Sequence, residues 1–285
     1  MVPPTDYNAA NGQSIKQVFA NTLNRGIKGI SFSPYAEGQN IGDQLSRSQV
    51  QHRMKVISPY TKWVRSFSCI EGNEFIPQVA REYGLKTMVG AWISDDKKQN
   101  EEEIEALIRL AKDGYVDIAV VGNEVLLRED LSLDEILEFI YRVKRAIPNI
   151  KVGYVDTYFT YHQHPALADA CDVILANCYP FWEGVHIDKA SGYFKQMVNV
   201  AQQAAKGKPV IITETGWPDR GDAIQNAQPS PENAMKYFVN VNALVQSENL
   251  DLIYFSSFDE SWKLHHEGDV GQRWGLWDKN EKLKY

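Results

Sequence analysis

The 285-residue sequence predicts a single-domain α/β protein folded as a closed (β/α)8 barrel. Short apolar, β-branched runs alternate with longer stretches of helical period, and no Ser/Gly/Pro-rich linker interrupts the series. The first run leads into Gly29-Ile30-Ser31-Phe32-Ser33-Pro34-Tyr35, which holds neither GxGxxG nor GxxxxGK[ST], so an open doubly wound sheet lacks its usual phosphate loop. A composition of 44% hydrophobic and 24% charged residues supplies a large core and excludes disordered, collagen-like and coiled-coil chains.

The expected strands cover residues 29–33, 63–66, 86–91, 117–122, 151–155, 173–177, 210–213 and 252–256. Helical stretches fall between them at 45–57, 73–83, 100–112, 132–146, 164–170, 187–206 and 231–246. Their ends carry physical signals. Ser132 with Glu135 forms a capping box, Gly84 and Gly207 stand where helices stop, and Pro231 suits a first helical turn. The whole of 1–285 reads as one catalytic domain, with residues 1–20 expected as an N-terminal extension.

The formal net charge of -7 has the wrong sign for a protein that tracks phosphates, so nucleic acid and anionic membrane are excluded as expected partners. No apolar run approaches the ~18 residues of a membrane span, and residues 1–12 show no basic or apolar region of a signal peptide. Cys69, Cys171 and Cys178 are an odd number without CxxC or zinc spacing, and are expected to be buried and unpaired. His162-Gln163-His164 has HxH spacing but follows the fifth run and lacks supporting ligands, so it and His265-His266 read as loop or helix-start features and no metal is expected.

Chemistry in such a barrel lies at the C-terminal strand ends. Those positions are polar and aromatic: Tyr35, Arg65, Trp92, Asn123, Tyr158, Asn177, Tyr179, Phe181, Trp182, Trp217, Trp262 and Trp274 all fall there, as does the Glu260 and Lys263 pair. Glu124 and Glu214 directly follow runs four and seven. With ~4.8 Å between strands and ~36° tilt the barrel radius is roughly 7 to 8 Å, so strands three apart face each other across about 14 Å. Side chains reaching ~4 Å inward then leave the carboxylates roughly 5 to 6 Å apart, near the spacing of a retaining glycosidase and short of the inverting one. The bland reading of each Glu is a rim ion pair with a neighbour such as Arg65 or Lys263. Two together inside a ring of aromatic side chains favour a neutral sugar chain, since aromatic faces stack on pyranose C–H faces.

Gly122-Asn123-Glu124, Asn177-Cys178-Tyr179-Pro180-Phe181, Glu214-Thr215-Gly216-Trp217-Pro218, Phe258-Asp259-Glu260-Ser261-Trp262-Lys263 and Trp274-Gly275-Leu276 resemble, in order and spacing, the motifs of glycoside hydrolase family 17. The resemblance implies a retaining TIM barrel that acts on β-1,3-glucan without a cofactor, with Glu124 as general acid/base, Glu214 as nucleophile and Asn123 bonding the sugar 2-hydroxyl. Glu260 and Lys263 match a supporting pair, and the aromatic residues above, with Arg65 and Asn177, are expected to bind substrate. The family implies a secreted, periplasmic or outer-surface enzyme, and a monomer is the default. Plant members carry a glutamate where Gly271 stands here, a place that Glu267 or Asp269 is expected to fill. The first-strand motif is nearer the bacterial and fungal branch, which holds transglycosylases as well as hydrolases. The expected activity is an endo-β-1,3-glucanase; a glucanosyltransferase, an exo-acting enzyme and a non-catalytic glucan-binding barrel are its rivals.

Overall fold

Alternation along eight short strands builds the barrel, because successive side chains point to opposite faces. The strands are β1 (Ile27–Ser31), β2 (Thr61–Ser66), β3 (Lys86–Ala91), β4 (Ile118–Asn123), β5 (Lys151–Thr157), β6 (Ile174–Asn177), β7 (Val210–Glu214) and β8 (Asp251–Tyr254). They pair in parallel in sequence order, and β8 closes on β1. These facts come from a computed structural model that describes residues 6–285.

The helices are α1 (Gly12–Asn24), α2 (Arg47–Ile57), α3 (Phe75–Glu82), α4 (Lys97–Lys112), α5 (Leu133–Ala146), α6 (Thr160–Gln163), α7 (Pro165–Ala170), α8 (Ile187–Ala204), α9 (Pro231–Ser247) and α10 (Leu264–Gly271). Inward side chains such as Met88, Ile118, Val120, Val155, Leu175, Ile211 and Ile253 fill the barrel, while outward ones pack against the helical ring. Each such buried aliphatic side chain contributes roughly 1.5–3 kcal/mol. No helix among the described residues is long and apolar enough to cross a membrane.

The capping box at Ser132 and Glu135 forms, and Gly84 and Gly207 adopt positive φ at the ends of α3 and α8. All three cysteines are buried and unpaired. His162 lies in α6 and His164 caps α7.

Strands shift by up to two residues from their expected limits; β7, for instance, takes in Glu214 as its last residue. Much of the expected extension is a barrel helix: α1 starts at residue 12, and its Ile15, Phe19 and Leu23 are buried. Phe19 lies 4.8 Å from Phe238 of α9. The reason is an i, i+4, i+8 apolar stripe, thin among polar residues but sufficient once α9 covers it. Residues 1–5 of that expected extension lie outside the described residues. The helices α6 and α10 were also not expected.

Candidate active site

Glu124 owes its place to a break in β4. Val120 points inward and Val121 outward; Gly122 then takes φ +85°, the pairing with β5 shifts, and Asn123 and Glu124 are delivered to the barrel mouth. A Cβ on Gly122 would stand 2.8 Å from the Val125 side chain, so glycine is required there. Glu124 itself has φ +53°, an uncommon conformation for a side-chain-bearing residue, and its N–H donates to the Val155 carbonyl at 2.8 Å.

Glu214 ends β7 and is buried. Arg65 Nη1 donates to its Oε1 at 2.6 Å, and the Tyr179 hydroxyl donates to its Oε2 at 2.9 Å. Glu124 forms no ion pair among the described residues. Its Oε1 accepts from Asn177 Nδ2 at 2.8 Å, and Thr213 fixes that amide by donating to Asn177 Oδ1 at 2.9 Å. Burial pushes the Glu124 carboxyl up to about 7, and the negative charges of Glu214 and, less strongly, Asp156 add to the rise. The pair is therefore asymmetric: one carboxylate is held by a cation and a phenol, the other favours its protonated form. That is the division of roles an acid and a nucleophile need.

Both carboxylates stand in the middle of a cleft. One half, a cavity of about 430 Å³, is lined by Tyr35, Phe67, Trp92, Asn123, Trp262 and Lys263 among others. The other, about 420 Å³, is lined by Tyr158, Phe159, Asn177, Tyr179, Trp182 and Trp274 among others. Glu124, Glu214, Phe255 and Glu267 border both halves. Glu260 is held by Lys263 Nζ at 3.0 Å and Trp262 Nε1 at 3.2 Å, and Lys263 also sits 4.2 Å from the Phe255 ring. Burial pulls the Lys263 ammonium down, but Glu260, Glu267 and Glu214 outweigh it and hold the group above its ordinary range.

Three expected cleft residues lie elsewhere. Arg65 is buried and does not line the cleft; it bonds Glu214, Asn123 Oδ1 at 2.7 Å and the Thr213 carbonyl at 3.0 Å. The Phe67 ring covers its guanidinium at 4.3 Å, and the side chain is spent on Glu214 and Asn123. Phe181 and Trp217 are fully buried. Phe181 packs edge-on against Trp182, Trp217 and Trp274 at 5.2–5.5 Å, backing the aromatic wall from behind. Trp217 Nε1 donates to the Gln228 carbonyl.

Of the two candidates beside Gly271, Glu267 borders the cleft. A Cβ on Gly271 would lie 2.4 Å from the Glu267 Cβ, so the glycine makes room for it. Asp269 instead accepts from Gln272 at 2.8 Å. The sequence reading missed Arg128, whose guanidinium bonds the carbonyls of Asn123 and Ile93 and lies 4.5 Å from the Trp92 ring. Its place four residues after Glu124, within one turn, was the available signal.

A closed barrel whose mouth carries two unlike carboxylates in an aromatic cleft defines a glycosidase of the (β/α)8 class. The BtgE/BtgC glycoside hydrolase domain matches residues 29–275. The chain belongs to that family, within glycoside hydrolase family 17. A Saccharomyces cerevisiae protein named glucan 1,3-beta-glucosidase is 27% identical over 271 residues, covering 86% of this chain and 87% of that protein. The probable beta-glucosidase btgE of Neosartorya fischeri is 28% identical over 260 residues, which span 89% of this chain but 46% of that protein. An active-site mutant of Rhizomucor miehei beta-1,3-glucanosyltransferase, solved with laminaritriose, superposes with a TM-score of 0.82 at 29% identity, covering 92% of this chain and 96% of that one.

Proposed function

We propose that this enzyme cleaves β-1,3-linked glucan by double displacement, with Glu214 as nucleophile and Glu124 as general acid and then base. The observation that carries this reading is the unequal environment of the two carboxylates within one cleft. In the first step the Glu214 carboxylate attacks the anomeric carbon while Glu124 gives its proton to the departing glycosidic oxygen, leaving a glycosyl ester on Glu214. In the second, Glu124 takes a proton from the incoming hydroxyl, which attacks the anomeric carbon and frees Glu214. Asn123, through its side-chain Oδ1, accepts from Arg65 Nη2. Its amide N–H groups are thereby left for a sugar hydroxyl. The glucan 1,3-beta-glucosidase and beta-1,3-glucanosyltransferase names of the relatives, and the laminaritriose complex of the latter, support β-1,3-glucan as substrate.

The cleft extends on both sides of the carboxylates, so a glucan chain fits past the point of cleavage. This supports internal cleavage over removal of single terminal residues. Aromatic walls in both halves also support a second reading, transfer to a sugar hydroxyl, because a bound glucan competes with water for the ester intermediate. A time course of laminarihexaose by mass spectrometry separates them: hydrolysis gives only shorter chains, transfer gives chains longer than six units. No change in the hexasaccharide would overturn the substrate assignment.

The pH profile follows from Glu124. Its acid form is needed in the first step, and its carboxyl is raised to about 7, so kcat/KM is expected to fall tenfold per pH unit above about 7. A rate that stays flat to pH 9 on an unactivated glucan would remove Glu124 from the acid role.

A further inference from the structure

Behind Glu124, on the face of β5 turned away from the cleft, lies a buried phenol and carboxylate that the reaction does not touch. Period-two alternation sends Val155 into the barrel and turns Tyr154 and Asp156 outward, where both are fully buried. The Tyr154 hydroxyl donates to Asp156 Oδ2 at 2.5 Å and accepts from the Leu126 N–H at 2.9 Å. Asp156 Oδ1 accepts from the Thr157 N–H at 2.8 Å and the Thr160 hydroxyl at 2.9 Å. The carboxylate thus fixes the phenol, and the phenol holds the backbone two residues beyond Glu124.

That tie matters because the turn carrying Glu124 leaves the sheet at a left-handed residue. Beyond the Glu124 N–H bond to Val155 and the Asn177 bond to the Glu124 carboxyl, the turn is tied down by Tyr154 and Arg128. We infer that Tyr154 and Asp156 are positioning residues for Glu124: Asp156 orients the Tyr154 hydroxyl, which clamps Leu126 and so sets where the Glu124 carboxyl meets the glycosidic oxygen. This rests on the acid/base role of Glu124. The phenol's one proton is committed to the buried Asp156 and its oxygen already accepts from Leu126, so both contacts serve to hold this turn.

The test uses the leaving group, because only a poor one needs the Glu124 proton. Wild type, Tyr154→Phe, Asp156→Asn and Glu124→Ala are compared on laminarihexaose and on 2,4-dinitrophenyl β-laminaribioside, whose leaving group departs unprotonated. Misplacing the acid is expected to lower kcat/KM on the hexasaccharide by about 10- to 100-fold in Tyr154→Phe and Asp156→Asn. On the dinitrophenyl substrate the fall is expected to stay within about threefold. Glu124→Ala shows the same contrast in stronger form, with its slow second step restored by azide.

A merely structural role lowers both substrates in equal proportion, and that result overturns the inference. If Glu124→Ala itself treats the two substrates alike, the acid/base reading falls instead. Phenylalanine keeps the ring and asparagine the volume. Melting curves identify which variants fold, and either folded variant decides.

Discussion

Replacing Glu214 by glutamine is expected to lower turnover of β-1,3-glucan by about 10⁴-fold or more, because an amide does not attack the anomeric carbon. The substitution keeps the shape of the side chain next to Arg65 and Tyr179, so a folded, substrate-binding protein should result. Two further readouts tie the loss to the proposed step. A 2-deoxy-2-fluoro laminaribiosyl fluoride should add its sugar to the wild type, on the peptide that contains Glu214, and leave Glu214→Gln unlabelled. The Glu214 charge is also one of the groups that raise Glu124, second only to burial. Removing it should let Glu124 ionise at lower pH, a shift measurable by carboxyl ¹³C NMR. An adduct on another carboxylate would overturn the nucleophile assignment, and an α-configured first product would overturn double displacement.

The contrast between Glu214 and the residues around it shows what the sequence carries. Strand-end position is a one-dimensional property, so β4 and β7 announce Glu124 and Glu214, and the aromatic excess after β3, β6 and β8 announces Trp92, Tyr179, Trp182 and Trp262. Facing direction near a strand end is less legible. Arg65, Phe181 and Asp156 all stand at or just after strand ends, yet Arg65 is buried against Glu214, Phe181 turns behind the wall, and Asp156 points out of the barrel. Counting by two from an inward residue would have put Asp156 outside. It would not have helped past Gly122, where a positive φ resets the count. Glu267 depends on a different relation, a kink at Gly268, where φ is +70°, that folds Gly271 back against it, and the missing Cβ of Gly271 leaves its room. For α1 the reason is energetic: three buried apolar residues in thirteen make a weak local signal, and the helix is held by α9, some 220 residues on in the chain.

Arg65 provides the other large effect, on stability and activity together. It is 1% exposed, is the cation paired with Glu214, and bonds Asn123 from beneath. In Arg65→Met the aliphatic stem is retained, but a buried carboxylate keeps only the Tyr179 hydroxyl, and the Asn123 amide is free to turn. Stranding one member of a buried ion pair costs about 3–5 kcal/mol, which urea unfolding should register at pH 7. The sign of the pH dependence is fixed: an unpaired buried carboxylate takes up a proton more readily in the folded than in the unfolded chain, so the deficit should shrink as pH falls. Turnover should drop by about 10²- to 10³-fold, the scale of losing one preorganised electrostatic partner. If the deficit instead stays constant between pH 4 and pH 8, Arg65 acts through packing alone. The pairing with Glu214 would then not be the source of the asymmetry between the two carboxylates.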